Sequence, residues 1–372
     1  MFFTNAKIFG TDGQFHTGSF EVKEGRFAHV LADSVPADAV DLRGALVLPG
    51  LVDIHIHGSS GADVSDGTLE AVEAMSSFLV TQGVTSFVAT TMTLPMEHLA
   101  ECAKNVRQFM EDAPGARVLG MRMEGPILSL EKCGAQNPAY LMQPDWDKLR
   151  SLLETGVVKV LDIAPEMPNV LESISLASRD CLVSLGHTNC SYEQAKEGFA
   201  AGACHITHLY NAMPALHHRK PGLIAAASET QGVSAEIICD GYHSHPAMVR
   251  LAFQMFPREN LCLVSDAGRC CGLEEGSHFF LGGQECVLSG GVGRLLDGTI
   301  SCSGSTLMDC LRKAVAFGIP MEKAVAAATV IPANLVRRQD LGRIADGALA
   351  DFLVCDEDLN LQHVFLGGKE IQ

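Results

Sequence analysis

Residues 53–58 read DIHIHG, two histidines one residue apart at the end of an apolar run. Side chains alternate across a strand, so His55 and His57 point the same way and Ile56 points to the other face. Two hydrogen-bonding histidines on a strand face would give the same pattern, so the pair alone is a modest signal. Its company raises it: other apolar runs end in Glu124 (RMEGP), His187 (SLGHT), His208 (THLYN) and Asp266 (LVSDAG). Four imidazoles and two carboxylates form a donor set suited to zinc, iron, manganese or cobalt. A buried carboxylate with no partner costs several kcal/mol or takes up a proton, so a cation or donor is expected beside Glu124 and Asp266. His205 lies three residues before His208, on the opposite face of an ideal strand, and the strand period does not choose between them. A divalent ion held here would acidify water and polarise a carbonyl, the two requirements for hydrolysing an amide. Asp266 is then the expected proton carrier, taking a proton from the attacking water and returning it to the leaving amine.

Such residues must be brought together by the elements that carry them. Eight runs read as strands: LVLPGLVDIHIH, VTSFVATT, RVLGMRMEG, VVKVLDIAP, CLVSLGHT, CHITHLYNA, SAEIICDG and LCLVSDAG. Helical spacing follows several of them, as in SDGTLEAVEAMSSFLVTQG, which closes on Gly83, and SYEQAKEGFAAG, which opens at Ser191 and closes on Gly202. The alternation predicts an α/β fold, a (β/α)₈ barrel over 49–340, with the active site at the C-terminal ends of the strands. Both chain ends give only short strands and turns. Residues 1–48 and 341–372 are expected to form one small β-sandwich domain, with 278–300 a candidate addition. STLMDCLRKAVAFG and MEKAVAAATVIPANLVRR resume the outer helical layer.

The chain has 372 residues, with 27 basic against 44 acidic side chains and a formal charge of -17. That field repels phosphate backbones and anionic bilayers, which excludes nucleic acid and membrane surfaces as expected partners. No apolar run approaches the roughly 18 to 20 residues needed to span a bilayer. The start, MFFTNAKIFGTDGQ, has no secretory pattern, and the 13 cysteines are scattered without disulfide spacing, so a cytoplasmic location is expected. One basic stretch stands out: His217, His218, Arg219 and Lys220 are consecutive.

In this order, PGLVDIHIHG, MEGP, LGHT, THLYNAMP, RKPGL, DGYH and SDAG resemble the amidohydrolase superfamily, and within it the deacetylases of N-acetylated amino-sugar phosphates. The resemblance spans nearly the whole chain. It implies metal-dependent removal of acetate from a small amino-sugar phosphate, with the N-acetylglucosamine compound the first expectation and its galactosamine epimer the second. Glu124, His187 and His208 would hold the catalytic ion, zinc first, with iron, manganese or cobalt as alternatives. His55 and His57 match positions that hold a second ion in some members and are replaced by non-ligands in others; in this chain they are expected to give a second, weaker site. Asp266 matches the acid/base and a metal contact. Ala135, Gln136, Asn211, Ala212, His243 and Ser303 match substrate contacts, and Arg219 the residue that reaches the phosphate from the neighbouring subunit of a homodimer.

Gln136 stands in GAQNP where such proteins carry a histidine, AGRCCG follows Asp266 in place of an Ala-Pro-rich turn, and GTISCSGSTL holds two extra residues around Ser303. Other superfamily hydrolases of cyclic amides or acylated amino acids use a carbamylated lysine at the end of strand four, where this chain reads DIAPEMP. A catalytically silent sugar-phosphate binder is the non-enzyme alternative.

Overall fold

The computed structural model describes residues 1–32 and 35–371. Eight parallel strands run in sequential order: Leu51–Ile56, Val84–Thr91, Arg117–Glu124, Val158–Ile163, Leu182–Leu185, His205–Ile206, Ser234–Ile238 and Leu261–Val264. A parallel bridge between Ile56 and Ala267 joins first to last, closing the barrel. Nearly every residue of these strands is buried, as a sheet covered by helices outside and side chains inside requires.

The helices form where apolar spacing and capping residues agree. Thr68 accepts the Ala71 N–H at the start of Leu69–Thr81, which buries Val72, Met75, Leu79 and Val80 along one face. Ser191 and Gln194 cap Tyr192–Ala201 reciprocally, and the helix stops at Gly202. The late helices Leu307–Ala316, Met321–Ala328 and Val330–Leu335 pack against the first and last barrel strands and complete the outer layer.

The chain ends pair with each other. Phe2–Phe9 lies between Phe15–Lys23 and Leu46–Pro49, which pairs in turn with Phe352–Cys355 and then Leu361–Leu366. By its pairing this is one eight-stranded sheet and not two separate ones. It curls so that Phe27 meets Ala348 through backbone bonds and encloses Phe3, Phe20, Phe352 and Phe365. The run read as one strand at 46–57 divides at Gly50, with its first half in this sheet and its second in the barrel.

Residues 278–300 do not join the terminal sheet. His278–Leu281, Gln284–Ser289, Val292–Leu295 and Ile300–Ser303 form a four-stranded antiparallel sheet of their own. Ser303 bridges Ala267, which ties this sheet to the loop after the eighth barrel strand, beside the barrel mouth. Alternation identifies a strand's buried face but not its neighbour, so the sequence could suggest the wrong partner. All 13 cysteines are free, and no helix among the described residues is long and apolar enough to cross a membrane.

Candidate active site

The six residues at the strand ends converge. Glu124 ends the third strand, His57 follows the first by one residue, and His187, His208 and Asp266 each lie two residues beyond their strands. Tight turns hold them there: His187, His208, Ala212 and Asp266 take φ of 45°, 30°, 50° and 48°, left-handed conformations that cost non-glycine residues free energy. Close backbone approach explains two adjoining glycines. A Cβ at Gly58 would lie 2.3 Å from the Ala62 carbonyl oxygen, and one at Gly186 would lie 2.5 Å from Thr207 Cβ.

Glu124 is the centre of the constellation. Its Oε1 lies 3.1 Å from both His187 Nε2 and His208 Nε2, which are themselves 3.1 Å apart. That oxygen is also 3.4 Å from His55 Nε2, and Oε2 is 3.2 Å from His57 Nε2. Asp266 Oδ1 faces the same two imidazoles at 3.4 and 3.3 Å. Two groups of three potential ligands therefore stand side by side, Glu124 with His187 and His208, and His55 with His57 and Asp266.

Both groups fit a divalent ion. Nitrogen and oxygen ligands at about 2.0 to 2.1 Å from tetrahedral zinc are separated by roughly 3.3 Å, close to the spacings here. His55 Nε2 is buried and has no hydrogen-bond partner among the described residues, although it points at two carboxylates. The tautomers are also set. His187 Nδ1 lies 2.8 Å from the Lys132 carbonyl and must donate to it, which frees Nε2.

The electrostatics agree. Burial opposes charge on Glu124, yet His187 and His55 hold its carboxyl well below its usual range. Burial likewise opposes charge on His57, but Asp266 and Glu124 push it up to about 10. Asp266 is lowered despite burial, chiefly by His55 and His57. His55, His57 and His187 are all raised by the carboxylates they face, so an ion binding there competes with protons.

The cavity over these residues has a volume of about 230 Å³ and is lined by His57, Glu124, Ala135, Gln136, His187, His208, Asn211, Ala212, His243 and Asp266. Thr299, Ile300 and Ser301 of the four-stranded sheet form its far wall. His243 Nδ1 lies 2.7 Å from Asp240 Oδ2, so its other nitrogen is free toward the cavity. Against the cost of burial, His243 and nearby backbone N–H groups lower Asp240 to about 2, and Asp240 in return raises His243.

Three of the expected substrate contacts sit as follows. Ser303 does not line this cavity; it is fully buried, donates to Asp240 Oδ2 at 3.0 Å, and leaves Ser301 at the wall. The Gln136 amide is turned onto the ligand set, because its Nε2 donates to Glu124 Oε2 while its Oε1 accepts the Thr93 N–H at 2.7 Å. Arg219 lies outside the cavity on an exposed turn, with Nη1 2.8 Å from His218 Nε2. His205 is buried beneath the site against Ser234 and Glu236 and belongs to neither ligand group.

Beneath the ligands lies a layer that the strand-end reading passed over. Arg122 is fully buried and binds Asp162 through Nε and Nη2 at 2.8 and 2.9 Å, and Glu236 through Nη1 and Nη2 at 2.6 and 2.9 Å. Asp53 is buried under His55, and burial pushes its carboxyl up to about 6. A signal for each was present: a lone charge inside an apolar strand must find a partner there.

Comparison with known proteins agrees with this architecture. Residues 46–371 match the amidohydrolase family. The chain is 36% identical over 299 residues to the N-acetylglucosamine-6-phosphate deacetylase of Bacillus subtilis (strain 168), covering 78% of this chain and 73% of that one. It is 29% identical over 343 residues to the N-acetylgalactosamine-6-phosphate deacetylase of Escherichia coli O157:H7, covering 91% and 90%. Among solved structures, a mutant N-acetyl-D-glucosamine-6-phosphate deacetylase from Mycobacterium smegmatis, in complex with N-acetyl-D-glucosamine-6-phosphate, superposes with a TM-score of 0.92 at 32% identity over 100% of this chain and 98% of that one. With its closed barrel, its paired ligand groups and these matches over most of its length, the chain belongs to the amidohydrolase family.

Proposed function

We propose that this protein hydrolyses the N-acetyl group of N-acetylglucosamine 6-phosphate, giving glucosamine 6-phosphate and acetate. One observation carries the reading: Asp266 and both ligand groups open onto a single cavity whose other walls bear Asn211, Ala212 and His243. Glu124, His187 and His208 would hold a divalent ion, which when bound would supply an acidified water and polarise an amide carbonyl. Asp266, whose carboxyl is already lowered before an ion binds, accepts the proton of the attacking water and delivers it to the departing amine. His243, kept a donor by Asp240, hydrogen-bonds the substrate, and Asn211 and Ala212 position the sugar phosphate.

His55, His57 and Asp266 would hold a second ion, with zinc the first choice for both sites. Arg219 lies outside its own cavity, which suits a residue that reaches the phosphate in the other subunit of a homodimer, where its guanidinium can bind through two N–H groups. A cytoplasmic location suits such a sugar phosphate substrate. The galactosamine epimer is the second reading, favoured by the E. coli relative, whose name specifies that substrate.

The test is an acetate-release assay over the 6-phosphates of N-acetylated glucosamine, galactosamine and mannosamine, run beside metal analysis of the same protein. The glucosamine compound should give the highest kcat/KM. Faster turnover of galactosamine would favour the second reading. Tight binding of all three without acetate release would overturn the enzymatic one.

A further inference from the structure

The two ligand groups differ in what stands behind them. His187 turns its Nδ1 to the neutral Lys132 carbonyl, whereas His55 turns its own to a carboxylate, Glu236 Oε1 at 2.5 Å. We propose that Glu236 is a positioning residue for the second ion: it accepts the Nδ1 proton of His55, which fixes Nε2 as the atom offered to the cavity, and Arg122 holds Glu236 in place. The inference rests on the two-ion reading above and adds to it the residue that makes the second site bind.

Glu236 has no freedom to do otherwise. Its Oε1 also accepts from Arg122 Nη2 at 2.9 Å and the His208 N–H at 3.0 Å, while Oε2 accepts from Arg122 Nη1 at 2.6 Å and meets His205 Nε2 at 3.1 Å. Arg122 is clamped from the other side by Asp162, itself held by the Thr207 hydroxyl at 2.9 Å. One guanidinium against two carboxylates leaves this layer with an uncompensated negative charge behind His55. An imidazole that donates to a carboxylate binds its ion more strongly than one that donates to a carbonyl, and its ring cannot flip. The contact also fixes which nitrogen of His55 is the ligand: with the Nδ1 proton given to Glu236, Nε2, which has no hydrogen-bond partner among the described residues, is the atom left for the ion.

A purely structural role, in which Glu236 only neutralises Arg122, would affect stability and both ion sites alike. Zinc(II) titration into chelator-stripped protein separates the two, comparing wild type, Glu236→Gln and His55→Ala. The proposal expects Glu236→Gln to keep the first ion at nearly wild-type affinity and to bind the second about 10- to 100-fold more weakly. Equal weakening of both ions, or none, would overturn it. If wild type takes up one ion and His55→Ala changes nothing, the two-ion reading fails as well, a result recognisable because there is then no second ion to weaken. Should Glu236→Gln not fold, zinc-loaded wild type labelled with ¹⁵N-histidine gives the answer directly. His55 must carry its proton on Nδ1; a proton on Nε2 would contradict the proposal.

Discussion

The terminal sheet and the mouth of the barrel are both buried, but one is closed with phenylalanine and the other with charge. In the sheet, Phe352 stacks on Phe365 at 4.3 Å and meets Phe3 and Phe20 edge-on at 5.3 and 5.2 Å. Such contacts need only shape and apolar area, about 1.5 to 3 kcal/mol for each side chain buried. At the barrel mouth, Arg122, Asp162, Glu236, Glu124, Asp266 and four histidines lie in a space where each charge depends on a neighbour. The first region tolerates substitution in proportion to volume lost. The second fails abruptly when one partner is removed, because the group left behind is buried and unpaired.

The largest effect should follow removal of Glu124. Glu124→Ala takes the only carboxylate from the group it forms with His187 and His208, so zinc content should drop and acetate release fall by about 10³-fold or more, as expected when a metal and its charge stabilisation are lost together. Next is the charged layer. Arg122→Met removes the guanidinium that Asp162 and Glu236 share and should cost about 3 to 5 kcal/mol, read from the denaturant midpoint. Phe352→Leu in the sheet should cost only about 1 kcal/mol and leave kcat/KM unchanged; a large loss of activity there would break the contrast between the regions.

The smallest effect concerns pH. Asp240 stabilises the protonated imidazole of His243, so Asp240→Asn lets the proton leave at lower pH. The alkaline limb of the kcat/KM profile should therefore move toward acid, and a shift the other way would remove His243 from the donor role.

Much of the site was legible because it lies where strands stop. His55, His57, Glu124, His187, His208 and Asp266 are polar residues ending apolar runs, and barrel geometry brings strand ends together wherever they fall in the chain. The supporting layer was harder to read. Arg122 stands two residues before Glu124 and Asp53 two before His55, so strand parity alone puts them on the inner face. Their partners lie far off in sequence: Glu236 is 181 residues from His55. Parity gives the face and not the neighbour, which is also why residues 278–300 were offered to the terminal sheet when they wall the cavity instead. Gln136 and Ser303 illustrate a further limit. A motif match located both near the site, but only packing decides whether such a side chain faces the substrate or the residues that hold it.

The most direct test compares Asp266→Asn with wild type, both loaded with zinc and assayed for acetate release from N-acetylglucosamine 6-phosphate. If Asp266 carries the proton, the variant should keep the ion held by Glu124, His187 and His208 and lose about 10²- to 10⁴-fold in kcat. Wild-type turnover in a variant that retains its zinc would contradict the account.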